Sequence, residues 1–310
     1  MKYDLNANCI KMEISLLNSD LEITGSERSD LELDFPDLRR NAAEEIFDIS
    51  FEEGILKITQ KSKKLSQFMS GDDFTVKLSV PKNAELEVEI NDLSGDIKVS
   101  GAGIFKGNVK SKSGDVLIEK VDDLEAEISS ISGDVIINEC KGSLMTSSVS
   151  GDMKASVTAC KILKAKSVSG DIEITGSFDL SEDAMVNSVS GDIKINFESY
   201  AGQNIVNLKS VSGDIELEGN KPADEMIKIS TVKGDLSGFN PIGKDFFKSW
   251  TFGNAFKDLK SHFKDISDEN SVSEIRETKK DVQNVQTVLN MLAEGKISAD
   301  EAEKLIKAIK

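Results

Sequence analysis

Eight carboxylates recur in one setting. Asp96, Asp115, Asp134, Asp152, Asp171, Asp192, Asp214 and Asp235 follow Gly95, Gly114, Gly133, Gly151, Gly170, Gly191, Gly213 and Gly234, and serine precedes every one of those glycines but the last, where Lys233 stands. Acidic and hydroxyl side chains at a fixed interval could hold a line of cations. Successive glycines are 19, 19, 18, 19, 21, 22 and 21 residues apart, which is the period of a stacked array. Calcium-binding solenoids of nonapeptide repeats are shorter in period and denser in glycine. If the copies stack in register, the aspartates form a column about 4.8 Å apart, and neighbouring like charges at that distance repel by roughly 1 kcal/mol in water. Turn amides and serine hydroxyls that take each carboxylate into an Asx-type turn would offset this. That is the expectation, and a line of cations is the alternative.

Other chemistry is sparse. The single histidine is His262, and no base is paired with a serine by any recognisable motif. The glycines are spaced for coils and not for a phosphate-cradling loop. Cys9, Cys140 and Cys160 make an odd count without metal-ligand spacing, and read as free thiols, mostly buried, in a reducing cytosol. No catalytic, cofactor-binding or metal-ligating residue is assigned, and the chain is not expected to be an enzyme. A formal net charge of −17 argues against nucleic acid and anionic membrane as partners of the main body. No apolar run approaches the ~18 residues of a membrane-spanning helix, and the N-terminus lacks a signal-peptide pattern. The expected location is cytoplasmic, with a peripheral place at the membrane as the alternative.

The elements that position the Ser-Gly-Asp units can be read from their flanks. Two residues after each glycine stand Ile97, Val116, Val135, Met153, Ile172, Ile193, Ile215 and Leu236, and four after come Val99, Ile118, Ile137, Ala155, Ile174, Ile195 and Leu217. This alternation is a strand with one buried face. Seven and five residues ahead of the glycine a second strand shows as pairs such as Val88 and Ile90, Leu163 and Ala165, or Val206 and Leu208. A further apolar residue two ahead, such as Ile131, Val149 or Val168, breaks the period and predicts a bend, with glycine supplying positive φ. The fold class is mainly β: a β-solenoid, parallel β-helix-like, with coils of about 20 residues stacked on a shared core.

Residues 91–238 hold the regular Ser-Gly-Asp coils, and residues 1–90 read as degenerate coils that cap the array. Leu17-Asn18-Ser19-Asp20-Leu21-Glu22-Ile23 lines up with Val168-Ser169-Gly170-Asp171-Ile172-Glu173-Ile174, with Ser19 at the glycine position. Further strands are expected at Phe47–Ser50, Ile55–Thr59 and Phe74–Val80, with a polar loop over Lys61–Ser70. The run Phe74-Thr75-Val76-Lys77-Leu78-Ser79-Val80-Pro81 followed by serial Ser-Gly-Asp-Ile units resembles the bacterial putative-adhesin family of β-strand-repeat proteins. That resemblance implies a solenoid domain often found near the cell envelope, with no catalytic residues to carry over.

Residues 239–270 change in composition. Phe247, Trp250, Phe252, Phe256 and Phe263 cluster there with Lys257, Lys260 and Lys264, suiting a lid over the last coil or an interfacial membrane helix. Residues 271–310 read as a helical hairpin with a capping box at Ser298-Ala299-Asp300-Glu301 and Gly295 as the stop of its first helix. The run Leu289-Asn290-Met291-Leu292-Ala293-Glu294-Gly295-Lys296-Ile297-Ser298-Ala299-Asp300-Glu301-Ala302 resembles the short helical module of LiaX- and YvlB-like envelope-stress proteins, where it is usually N-terminal. A helical pair this small rarely holds a core alone, so a protein partner or self-association through 271–310 is expected. The reading is a non-enzymatic scaffold in envelope-stress signalling or surface-associated signalling. The alternatives are a peripheral membrane protein using residues 246–266, and a carbohydrate-active β-helix enzyme, which would need a cluster of charged residues on one sheet face.

Overall fold

A computed structural model describes residues 1–5, 9–38, 40–61 and 74–238. The expected polar loop after Lys61, the aromatic segment and the helical hairpin therefore lie outside the described residues.

The alternation of apolar and polar residues builds two facing sheets, of 12 and 11 strands. The N-terminal elements are β1 (Lys2–Asp4), β2 (Cys9–Leu16), β3 (Ser19–Ser26), β4 (Asp30–Asp34), a short helix α1 (Arg40–Ile46), β5 (Phe47–Glu52), β6 (Ile55–Gln60) and β7 (Phe74–Pro81). Eight coils follow, each a pair of strands around a Ser-Gly-Asp bend. They are β8 (Glu85–Asp92) with β9 (Ile97–Ser100), β10 (Ile104–Ser111) with β11 (Val116–Glu119), β12 (Asp123–Ser130) with β13 (Val135–Lys141), and β14 (Leu144–Ser148) with β15 (Met153–Cys160). Then come β16 (Leu163–Ser167) with β17 (Ile172–Asp179), β18 (Ala184–Ser190) with β19 (Ile193–Ala201), β20 (Val206–Ser212) with β21 (Ile215–Gly219), and β22 (Ile227–Lys233) with β23 (Leu236–Ser237). In each coil the first strand joins one sheet and the second joins the other. From β8 onward every strand is parallel to its neighbours, as in Val116↔Val135 and Val109↔Ile128. The fold is a β-solenoid.

The start of the chain is threaded out of order. β2 and β3 form a coil, and β6 then pairs parallel to β2 while β7 pairs parallel to β3 on the far side. The chain next crosses back, so that β8 and β9 lie against the free flanks of β2 and β3. The first coil in sequence is thus the second in space. Three antiparallel pairings close this end: β4 on β7, β1 on β4, and β5 on β6 through a hairpin whose central residues Glu53 and Gly54 both have positive φ (53° and 80°), as two-residue hairpin turns require. Antiparallel edges and the helix blunt a sheet end that would otherwise template further strands. Ala43 and Ile46 of α1 are buried in the same core. Gln60 takes the amides of Leu17 and Asn18 on its Oε1 at 2.7 and 3.2 Å, and its Nε2 donates to Asn18 Oδ1 at 2.7 Å.

The core is one continuous stack from Ile10 and Phe47 to Leu217 and Ile227. The strands of every coil from β8/β9 to β20/β21 contribute at least four buried apolar side chains, and full burial of one is worth roughly 1.5–3 kcal/mol. A cavity of about 10 Å³ lies among Ile137, Ala155, Ala165 and Ile174, room for about one water.

The bend differs from the sequence reading. The apolar residue two ahead of the glycine is not the next inward position: Ile131, Val149 and Val189 are only half-buried, and Val168 and Val211 are buried but stand outside the core stack, whereas Ser111, Ser130, Ser148 and Ser167, three ahead, are buried. The period of two runs unbroken into the bend and ends on an inward hydroxyl.

Candidate functional site

The Ser-Gly-Asp bends stack into one edge of the solenoid, and each residue of the unit makes a column. The serine three ahead of the glycine turns its hydroxyl inward to accept the amide of that glycine. Gly114 N–H donates to Ser111 Oγ at 3.1 Å, Gly133 to Ser130 at 3.0 Å, Gly151 to Ser148 at 2.9 Å and Gly170 to Ser167 at 2.9 Å. In the next three turns the buried hydroxyls of Ser188, Ser210 and Thr231 have no such partner, and the Gly213 amide goes to the Lys233 carbonyl at 3.1 Å. These hydroxyls were legible as a serine recurring at a fixed offset, a signal that hydrophobic periodicity passes over.

The glycine column is a matter of space. Gly95, Gly114, Gly133, Gly151, Gly170, Gly191 and Gly213 do not have positive φ, so the expectation of a left-handed turn is corrected for all of them. Gly234, at φ 150°, is the exception. What each requires is the absence of a side chain: a β-carbon would stand 1.8–2.3 Å from the carbonyl oxygen of the residue one coil back, Ser19 for Gly95 and a glycine for each of the others. Coils at strand spacing leave no room there for a methyl group.

The aspartate column answers its own repulsion. The amide of Asp115 donates to Asp96 Oδ1 at 2.9 Å, that of Asp134 to Asp115 at 2.8 Å, that of Asp152 to Asp134 at 2.9 Å and that of Asp171 to Asp152 at 2.9 Å. The pattern continues through Asp192, Asp214 and Asp235 and begins with Asp96 on Asp20. Turn amides do take the carboxylates, as expected, but each amide comes from the next coil and not from the same turn. Among the described residues no group of three or more His, Cys, Asp or Glu side chains is arranged to hold a metal ion.

One rung is different. Asp92 occupies the inward position that serine holds in the next six coils, registered between Leu16 and Ser111. It is fully buried and neither carboxylate oxygen has a hydrogen-bond partner. Burial pushes its pKa up to about 7, and the charges of Asp20 and Asp96 add to this, against the nearby amides of Gly95 and Leu93. Cys140 and Cys160 are buried thiols, pushed up to about 11 by desolvation, while Cys9 is half-buried.

The outward faces carry ladders of charge. Lys11 pairs with Glu87 at 2.8 Å, Lys57 with Glu13 at 2.7 Å, Lys154 with Glu173 at 2.9 Å, and Lys194 with both Glu216 and Glu218 at 3.1 Å. Lys106 bridges Glu85 and Glu125 at 3.2 and 3.3 Å, bonds that raise its pKa. Exposed pairs of this kind contribute about 0–1 kcal/mol each. No helix among the described residues is long and apolar enough to cross a membrane. Phe247, Trp250, Phe252, Phe256, Phe263 and His262 lie outside the described residues, as does the hairpin at 271–310.

Comparison with solved structures finds similar chains at low identity. A protein from Parabacteroides distasonis ATCC 8503 named as a putative lipid binding protein is 20% identical, with a TM-score of 0.43 over 76% of this chain and 95% of that one. A protein from Parabacteroides merdae ATCC 43184 named as a putative adhesin is 15% identical, with a TM-score of 0.40 over 76% and 94%. No curated protein matches the chain. Residues 285–310 match a SHOCT-like domain. The repeated Ser-Gly-Asp bends and the strands they join fall within a match to the toastrack DUF4097 model over residues 9–237, and the chain belongs to that family.

Proposed function

We propose that the chain is a non-enzymatic scaffold whose solenoid presents its faces to protein partners at the bacterial cell envelope, in the response to envelope stress. One observation carries the scaffold reading: the chemistry-bearing side chains of the repeat are spent on backbone amides of the repeat itself. Each column aspartate accepts the following aspartate's amide, and serines of the inner column take glycine amides. What remains outward is a pair of long, regular ladders on a rigid frame. The enzyme reading asked for charged residues clustered on one face, and Glu85, Glu87 and Glu89 do stand together on β8. Their ion pairs with Lys106, Lys11 and Lys110, on an open sheet, lack the desolvated setting that tunes catalytic carboxylates. The stress element rests on the likeness of residues 289–302 to the helical module of envelope-stress proteins. The aromatic residues at 246–266 support a second reading, attachment to a membrane surface, and the putative lipid binding protein from P. distasonis is a relative in shape with a name of that kind.

The test is genetic complementation under wall- and membrane-active agents. Deletion should sensitise the bacterium. A folded Asp152→Asn, Asp171→Asn variant should restore resistance, because it keeps the accepting oxygens. Failure of that variant would give the column a chemical role and overturn the scaffold reading. An insensitive deletion strain would remove the stress element. Liposome co-sedimentation of the chain with and without Trp250→Ser, Phe252→Ser and Phe256→Ser decides the membrane reading.

A further inference from the structure

Ile131, Val149, Val168, Val189 and Val211 each follow an inward serine and so turn outward. In five successive coils they form an apolar stripe along the bend edge of the 11-stranded sheet. Aliphatic side chains on the outside of a single sheet should be open to water. Val168 and Val211 are instead 2% and 3% exposed while standing apart from the core stack. The outward row beside the stripe behaves alike. Ser129 and Ser147 are buried, and the Lys110 side chain is only 11% exposed. In the same row, Lys166 and Lys209 each engage a further group. From β12 to β20 the main contacts among the described elements join sheet neighbours or cross a bend, and none of these sets an element over this side. The stripe is therefore covered by something other than the described strands.

We propose that the cover is the chain's own segment 252–266, laid along the stripe as a helix that runs back down the stack from the last coil. Phe252, Phe256, Leu259, Phe263 and Ile266 recur at helical spacing and give one apolar face. Fifteen residues at 1.5 Å each extend about 22 Å, and the stripe from Ile131 to Val211 covers four coil steps, about 19 Å. The strands end at Ser237 in the last coil. The thirteen residues 239–251 can span roughly 40 Å, ample for a turn back onto the neighbouring stripe.

Charge supports the same occupant. The stripe is walled on one side by the row that holds Lys166 and Lys209 and on the other by the exposed aspartates of the bend, Asp152, Asp171, Asp192 and Asp214. On a helix over 252–266, Lys257, Lys260 and Lys264 fall on one flank of the apolar face and Asp258 and Asp265 on the other. In a right-handed coil, the general hand of parallel crossovers, a helix descending the stack turns its acids to the lysine row and its lysines to the aspartates. Asp258 and Asp265 are seven residues apart, about 10.5 Å along the axis. Lys209 and Lys166 are two coils apart, about 9.6 Å. Pairing Asp258 with Lys209 and Asp265 with Lys166 brings Leu259 to the level of Val211. Phe263 and Ile266 then lie over Val189 and Val168, and Phe252 reaches past the last coil, where Ile229 and Leu236 are only partly buried. Docked in this way, the segment turns its rings to the solenoid and away from a lipid surface. The proposal does not depend on the scaffold reading and fails separately from it.

The experiment is limited chymotrypsin digestion of the full chain, with cleavage after Trp250, Phe252, Phe256 and Phe263 followed by mass spectrometry. In wild type these sites should be cut at least tenfold more slowly than in urea-unfolded protein. The Lys166→Glu, Lys209→Glu variant and the Asp258→Lys, Asp265→Lys variant should each lose that protection, and the chain carrying all four changes should regain it. Leu259→Asp, a change outside the solenoid, should also release the segment, with an unchanged melting temperature showing the coils intact. Wild-type sites cut as fast as unfolded chain would overturn the proposal. So would swap variants that stay protected, as they would if residues 271–310 covered the stripe, or a fourfold variant that remains open. Protection that grows with protein concentration would overturn it in favour of a segment donated by a second copy. Wild type whose sites become protected only when anionic vesicles are added would overturn it in favour of a lipid surface.

Discussion

Gly114 lies over Gly95 with no room between them: a β-carbon on Gly114 would fall 1.8 Å from the Gly95 carbonyl oxygen. The obstacle is backbone held by parallel strands on both sides, so it cannot swing away like the end of a flexible side chain. Gly114→Ala should therefore destabilise the solenoid by about 3 kcal/mol or more. Gly54→Ala is the control. Its β-carbon would meet nothing within 4 Å and only its φ of 80° resists the change, a cost of about 1 kcal/mol. Urea denaturation of both variants measures the difference, and equal midpoints would remove close approach as the reason for glycine.

The aspartate column should separate charge from hydrogen bonding. Asp152 Oδ1 accepts the Asp171 amide at 2.9 Å, and an asparagine oxygen can do the same. Asp152→Asn is expected to keep the melting temperature and to weaken its dependence on salt, because two like-charge contacts disappear. Asp152→Ala removes the acceptor and should cost roughly 0.5–1.5 kcal/mol. Thermal melts at low and high salt read both effects.

The strands were legible because every coil repeats the same apolar alternation: Ile97 and Val99 to Ile215 and Leu217 are inward where the sequence put them. The bend was not. Ser111 and its counterparts are hydroxyls turned inward to serve a glycine amide three residues on, and a hydrophobic period has no term for them. A turn glycine in sequence suggests freedom in φ, whereas the constraint on these glycines comes from the backbone of the coil one repeat away. The strand order at the N-terminus was hidden for a related reason. β2, β6 and β8 present the same alternation, so nothing local says that β6 lies beyond β2 and β8 on its other side. Asp92 carries no such signal, because in the sequence it is one more acid in an acidic chain.

Thiol reactivity follows from burial. Cys140 and Cys160 are buried in the core with pKa values pushed up to about 11, so little thiolate forms at pH 8 and no path reaches it. In the native protein a thiol-specific chromophore should label Cys9 first. The other two should react only at the rate of unfolding, and all three within seconds in denaturant. Native labelling of three thiols at comparable rates would contradict the packing of β13 and β15.

Asp92 predicts the shape of stability against pH. Its folded pKa of about 7 stands above the ordinary 3.8, so the folded state binds this proton more tightly than the unfolded chain does. The contribution is fully present below pH ~4, declines as pH rises, and is lost above pH ~7. Three units correspond to about 4 kcal/mol as an upper estimate. Carboxylates held down by partners, such as Asp30 and Glu32 beside Arg28, act at lower pH, in the opposite sense, so the difference between wild type and an Asp92 variant over pH 5–8 isolates Asp92. In that window wild type should become less stable as pH rises. Asp92→Ser puts at this rung the residue found at the next one, Ser111, whose hydroxyl takes the Gly114 amide at 3.1 Å. The variant should be more stable than wild type at pH 8, nearly equal to it at pH 5, and flat between. Urea unfolding at the two pH values measures this. A variant less stable than wild type at pH 8 would mean that the carboxylate is held as an anion by contacts its burial does not reveal.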